Sequence, residues 1–142
     1  MVRRFSLVPR SSLKSALGAV EPLPSPKPVI LCIEDNLLYL TLRKAVLEQE
    51  GYDVIGVTTA SDALKALREA PICAIIADHM LRGTSGTNLA KKMKAVKPQV
   101  PIILFSGTVP EKLQNIDVYL NKGEPTAEFL KIVRSVVDRY RS

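Results

Sequence analysis

The chain has 142 residues, room for one domain with a full core. Hydrophobic residues make up 46% and aromatics 5%, with no Trp, so an aliphatic core is expected, and no apolar stretch is long enough to span a bilayer. The net charge of +6 is uneven: residues 1–27 carry Arg3, Arg4, Arg10, Lys14 and Lys27 against Glu21 alone, so the remainder is nearly balanced and does not imply nucleic-acid binding.

Residues 1–27 are rich in Ser, Pro and Arg, lack periodicity and end in Pro22-Leu23-Pro24-Ser25-Pro26-Lys27. That composition reads as a disordered arm and linker ahead of a domain over residues 28–142. Arg-rich, acid-poor starts also occur in transit peptides, and Leu7-Val8-Pro9-Arg10-Ser11 resembles an engineered protease site.

From Val29 the pattern alternates. The apolar run Val29–Ile33 predicts a buried strand, followed by a helical stretch from Asn36 to Glu50 that Gly51 closes. Within that helix Leu37 and Leu40 are expected to fall partly outside the packed stripe, as a patch for a partner helix or as packing under the arm. Asp53–Val57 reads as a second strand. Thr59, with Asp62 three residues on, caps a helix ending near Ala70 before Pro71. Ile72–Ala77 is a third strand, and a loop with Gly83 and Gly86 leads to a helix marked by Leu89, Met93 and Val96. Val100–Phe105 and Val118–Leu120 are the fourth and fifth strands, with Glu111–Asn115 leaving room for about one helical turn between them. Phe129, Leu130, Val133, Val136, Val137 and Tyr140 form the apolar stripe of a last helix. Cys32 and Cys73 fall inside strands, as small buried hydrophobes of a reducing, cytoplasmic compartment. The Lys91, Lys92, Lys94 and Lys97 cluster reads as a solvated helix face.

Strands alternating with helices predict a doubly wound, five-stranded parallel α/β sheet in the order 2-1-3-4-5, with a shortened fourth helix. In that order the first and third strands flank the switch point, where such sheets bind ligands. Glu34 and Asp35 follow strand one and Asp78 follows strand three, so three carboxylates meet in one cleft. Oxygen ligands of net negative charge suit Mg²⁺. A carboxylate can also be phosphorylated, and the transferred group then needs cationic and hydroxyl partners. Lys122 after strand five and Ser106 after strand four are residues of those types.

This set resembles the receiver domain of two-component response regulators over roughly residues 28–141. The resemblance rests on Glu34-Asp35, on Asp78 with Gly86 eight residues later, on Ser106-Gly107 and on Lys122. It implies that Asp78 is the phosphoacceptor, supplied by a histidine kinase or a histidine phosphotransfer protein. It also implies that Glu34, Asp35, Asp78 and the Met80 backbone carbonyl hold Mg²⁺, and that Ser106 and Lys122 engage the phosphoryl group. Tyr119 matches the family's rotating aromatic, or else packs at the core edge.

Three positions depart from the family. Arg82 stands where it usually has Pro, Gly123-Glu124-Pro125 follows Lys122 where Lys-Pro is common, and the segment between Ser106 and Lys122 is short. Met80 overlooks the acceptor where a polar residue would orient water, so slow loss of phosphate is expected. His79, beside the acceptor, reads as a loop residue without a catalytic role. An aspartyl-phosphate phosphatase would want Asp in place of Met80, and a flavin carrier would want a phosphate loop where Glu34-Asp35-Asn36-Leu37 stands. The expectation is a stand-alone receiver that switches contact with an unknown downstream protein and is not a turnover enzyme; the rival is a receiver-like module that signals without phosphorylation.

Overall fold

The central apolar runs, Val29–Ile33, Ile72–Asp78 and Ile102–Ser106, become strands buried on both faces, and the amphipathic stretches between the strands become the covering helices. The computed structural model describes residues 26–141. Most of the basic arm therefore lies outside the described residues. The main elements are β1 (Val29–Ile33), α1 (Leu37–Gln49), β2 (Asp53–Val57), α2 (Ala60–Glu69) and β3 (Ile72–Asp78). After β3 a short hairpin forms from β4 (Met80–Leu81) and β5 (Thr84–Ser85). Then come α3 (Gly86–Val96), β6 (Ile102–Ser106), β7 (Val118–Asn121) and α4 (Thr126–Arg141).

The five long strands pair in the order β2-β1-β3-β6-β7, all parallel. Alternate residues of each strand face opposite sides. Ile30 and Cys32 join Leu40, Leu47, Phe129 and Val133 in the core under α1 and α4. Leu31 and Ile33 join Ala63, Leu67, Leu89 and Met93 under α2 and α3. Among the described residues no helix is long and apolar enough to cross a membrane.

Helix starts follow side-chain chemistry. The Asn36 Oδ1 accepts from the Tyr39 N–H at 3.0 Å, the Thr59 Oγ1 from Asp62 at 3.1 Å and the Ser85 Oγ from Asn88 at 3.1 Å. Each satisfies an amide that the first turn leaves without a partner. Gly51, at φ +96°, closes α1 in the left-handed region that glycine tolerates.

Two expectations need correction. The shortened fourth helix does not form: residues 107–117 connect β6 to β7 without helix. The chain must return from the carboxyl end of one parallel strand to the amino end of the next, and eleven residues are fewer than such a crossover normally uses. The segment turns at Asn115 (φ 67°), where Ile116 N–H donates to the Leu113 carbonyl at 3.2 Å. Asp117 then anchors it, its Oδ2 accepting from the Ile102 N–H at 2.8 Å and from Lys94 Nζ at 2.7 Å. Lys94, read as part of a solvated face, is thus engaged with this loop.

The second correction concerns α1. Leu40 is buried and packs over Gly56, where a Cβ would meet its Cδ1 at 3.1 Å. The exposed apolar residues are Leu37, Leu38, Tyr39 and Leu42.

Gly86 is held where no side chain fits. Its N–H donates to the His79 carbonyl at 2.7 Å, and an added Cβ would run into the Asp78 carbonyl and lie 2.6 Å from Leu104 Cδ1. Gly86→Ala is expected to lower the unfolding free energy by about 2 kcal/mol. Gly107→Ala, with open space around its Cα, should change it by less than about 0.5 kcal/mol in the same urea titration.

Candidate functional site

The order of the strands decides which polar residues meet. β1 and β3 are neighbours, with Ile33 level with Ala77, so the residues that end or follow them converge. Carboxylate oxygens of Glu34, Asp35 and Asp78 all lie within 4.8 Å of one another. Glu34 is 1% exposed and Asp78 6%, while Asp35 is half-buried. Both buried acids are fixed by backbone: Asp78 is the last residue of β3, level with Phe105, and the Glu34 N–H donates to the Val57 carbonyl at 3.1 Å.

Cations answer this charge. Lys122, directly after β7, donates from Nζ to Asp78 Oδ2 at 2.9 Å and lies 3.6 Å from Glu34 Oε1. Its own N–H donates to the Ser106 carbonyl at 3.0 Å, which fixes the lysine beside the end of β6. Arg43 of α1 reaches the same Glu34 oxygen at 3.4 Å, and the other Glu34 oxygen accepts from the Asn36 N–H at 3.0 Å. The Arg43 guanidinium also sits over the Phe105 ring, 4.7 Å from its centroid. Arg43 was not singled out from the sequence. The available signal was its position three residues after buried Leu40 and four before buried Leu47, on the inward side of α1.

Burial pushes the Glu34 carboxyl above the ordinary 4.5. The hydrogen bond from Asn36 opposes this, neighbouring Asp78 reinforces it, and Lys122 opposes it. Burial likewise pushes the Cys32 thiol up, against the nearby Arg43 charge.

The other expected site residues stand close by in distinct roles. Ser106 is buried, but its hydroxyl is turned into its own loop, donating to the Thr108 carbonyl at 2.9 Å and accepting from the Thr108 N–H at 3.3 Å. The Tyr119 hydroxyl donates to the Ser106 carbonyl at 3.1 Å and accepts from Asn121 Nδ2 at 3.2 Å. Tyr119 therefore touches the backbone of Ser106, not the carboxylates. Met80 begins the hairpin two residues past Asp78 with its side chain exposed, and the Nδ1 of His79 is buried without a hydrogen bond. The structure thus gathers Glu34, Asp35, Asp78 and Lys122, and places Ser106, Tyr119 and Met80 around them.

A parallel sheet ordered 2-1-3-4-5, with an acidic hollow at its switch point and a lysine across it, defines a class of fold and site. The family model described as "Response regulator receiver domain" matches residues 30–133, and the chain belongs to that family. The regulatory protein VanR of Enterococcus faecium is 30% identical over 118 residues, 79% of this chain and 51% of that protein. The transcriptional regulatory protein YbdJ of Bacillus subtilis, itself uncharacterized, is 28% identical over 78% of this chain and 51% of its own. The chain spans about half the length of the curated relatives it matches.

Among solved structures, a receiver domain from Methylobacillus flagellatus superposes with a TM-score of 0.70 at 26% identity, covering 78% of this chain and 99% of that one. The response regulator TrrA of Thermotoga maritima, solved in complex with Mg²⁺ and BeF, gives 0.71 at 24% identity, with 77% and 98% covered.

The raised Glu34 carboxyl sets a pH dependence. The native chain keeps that proton to higher pH than the unfolded chain, so this contribution to stability is complete below 4.5 and lost as pH rises through the native value. Glu34→Gln imitates the protonated form. In metal-free buffer its stability relative to the parent is expected to rise as pH climbs above 4.5, and a difference that stays flat between pH 4.5 and 8 in urea titrations would contradict the assignment.

Proposed function

We propose that the chain is the phosphoacceptor receiver of a two-component or phosphorelay system. The observation that carries this is Lys122 Nζ at 2.9 Å from Asp78 Oδ2, inside a hollow where three carboxylates lie within 4.8 Å. Such a hollow is costly unless cations enter it, and its donors are all hard oxygens, which fits Mg²⁺. Glu34, Asp35, Asp78 and the Met80 backbone carbonyl would hold the ion, whose charge would offset that on the phosphoryl oxygens during transfer.

The remaining chemistry belongs to the chain. An Asp78 carboxylate oxygen attacks the phosphorus of a phosphohistidine, the P–N bond breaks, and the freed imidazole takes up a proton. Lys122 exchanges its bond to Asp78 for one to a phosphoryl oxygen. The Ser106 hydroxyl leaves Thr108 and turns to another. Tyr119, bonded to the Ser106 carbonyl, is placed to respond to that turn. The exposed Leu37, Leu38 and Leu42 of α1 offer an apolar surface to the helices of a histidine kinase or phosphotransfer protein. Such donors place the reaction in the cytoplasm. The phosphorylated domain would then switch a protein contact, within a longer regulator or with a separate downstream partner, without turning over an external substrate.

A second reading keeps the fold but dispenses with phosphate, as a fixed interaction module. The connection without helix at residues 107–117 favours it, because that segment carries the exposed Val109 and Leu113. Acetyl phosphate and Mg²⁺, followed by intact-mass measurement, separates the two. Phosphotransfer adds one phosphoryl group, Asp78→Asn abolishes the gain, and Lys122→Ala slows it by about a hundredfold. No gain in the parent protein favours the fixed module.

The phosphorylated form is expected to be long-lived, because the Met80 thioether cannot orient a hydrolytic water. Met80→Asn should shorten its lifetime in the same mass assay; an already rapid loss that this change leaves alone contradicts the role.

A further inference from the structure

Arg43 is the residue of this region that the phosphoacceptor chemistry leaves unused. Its side chain is only 9% exposed, it lies on the inward face of α1, and it meets Glu34 Oε1 at 3.4 Å. Phe105 covers one face of the guanidinium at 4.7 Å, and Nη1 is buried without a hydrogen bond. A guanidinium buried with a donor unsatisfied costs free energy, and ordinary apolar packing between Leu40 and Leu47 would avoid that cost. What it gains is the carboxylate. Glu34, 1% exposed, has Arg43 at 3.4 Å and Lys122 at 3.6 Å on the same oxygen. Lys122 is shared, since its closer bond is to Asp78. Among the described residues Arg43 has no second carboxylate within ion-pair distance, so Glu34 is the one acid it pairs with, beside the Cys32 thiol.

We propose that Arg43 is a built-in counter-cation that competes with the divalent ion for Glu34 and sets how tightly the hollow binds Mg²⁺. This rests on the magnesium reading above. Two cations facing three carboxylates leave the hollow about one net negative charge, where Lys122 alone would leave two. A dication entering beside a fixed positive charge binds more weakly, and by thermodynamic reciprocity the ion weakens the Arg43–Glu34 pair by the same factor. The Phe105 ring holds the guanidinium in place, so Arg43 cannot swing clear as an exposed side chain would. Arg43 is thus a positioning residue: it never touches the phosphoryl group and acts through Glu34.

The test titrates Mg²⁺ calorimetrically into the full chain and records the thermal unfolding midpoint with and without the ion. R43M is expected to bind Mg²⁺ about tenfold more tightly than the parent. Its midpoint without the ion should fall, because Glu34 has lost a cation, and Mg²⁺ should raise it by more than in the parent. R43Q, which keeps a donor toward Glu34 but no charge, should shift the affinity in the same direction and carries the test if R43M does not fold. R43K retains the charge and should stay within about threefold of the parent. Unchanged or weaker affinity in the neutral variants overturns the proposal, as does a lowered midpoint with an unaltered response to Mg²⁺, the mark of a purely structural arginine. Binding by no protein, parent included, overturns the magnesium reading and this inference together; equal binding overturns the inference alone.

Discussion

Three carboxylates drawn together, two of them buried and the third half-buried, repel one another, and the placements around them answer that repulsion. They meet because β1 and β3 are adjacent and end level, a consequence of the crossover that carries the chain outward to β2 and back. Glu34 and Asp78 are then buried from most of the solvent that would have screened them, while Asp35 stays partly in water. Compensation must come from within reach, and the distance selects the residue. β7 is separated from β3 by β6, so a cation from the β7 end has to cross about two strand spacings, roughly 10 Å. A lysine stem, anchored by its N–H on the Ser106 carbonyl, makes that crossing and delivers Nζ to Asp78.

The parts legible in the sequence are those that depend on strand order and polarity. Apolar runs of about five residues, separated by amphipathic stretches, allow few architectures, and the carboxylates directly after Ile33 and Ala77 then have one place to go. The meeting of Lys122 with Asp78 was legible for the same reason, as was the place of Ser106 at the end of β6, but not the turn of its hydroxyl to Thr108. Arg43 was not, although its position on the inward side of α1 follows from helical spacing. An arginine on such a stripe ordinarily carries its head out to water. Here it turns inward because Glu34, just after β1, and Phe105, in β6, wait for it, and that meeting is a property of the tertiary structure. The connection after β6 misled for a related reason. Glu111–Asn115 is compatible with a helical turn, but the path from Ser106 to Val118 is set by the sheet, and a route of bends with one turn at Asn115 covers it.

That connection governs how a change at the acidic hollow can spread. Its two ends are held differently. At the far end Asp117 is fixed by the Ile102 amide and by Lys94, and Ile116 packs into the core under α2 and α3. At the near end the segment is tied through Thr108, whose carbonyl and N–H both engage the Ser106 hydroxyl. If that hydroxyl is recruited to a phosphoryl group, the tie at Thr108 is lost while the anchor at Asp117 persists. Movement is then confined to the first half of the segment, where Val109 is exposed. Tyr119 joins the two sides of this change, because its hydroxyl holds the Ser106 carbonyl, the same oxygen that accepts the Lys122 amide. A shift of Ser106 therefore disturbs the lysine anchor and the aromatic ring together. With no helix between β6 and β7 to act as a rigid lever, such a change would be carried by this short hydrogen-bonded set and the loop it would release.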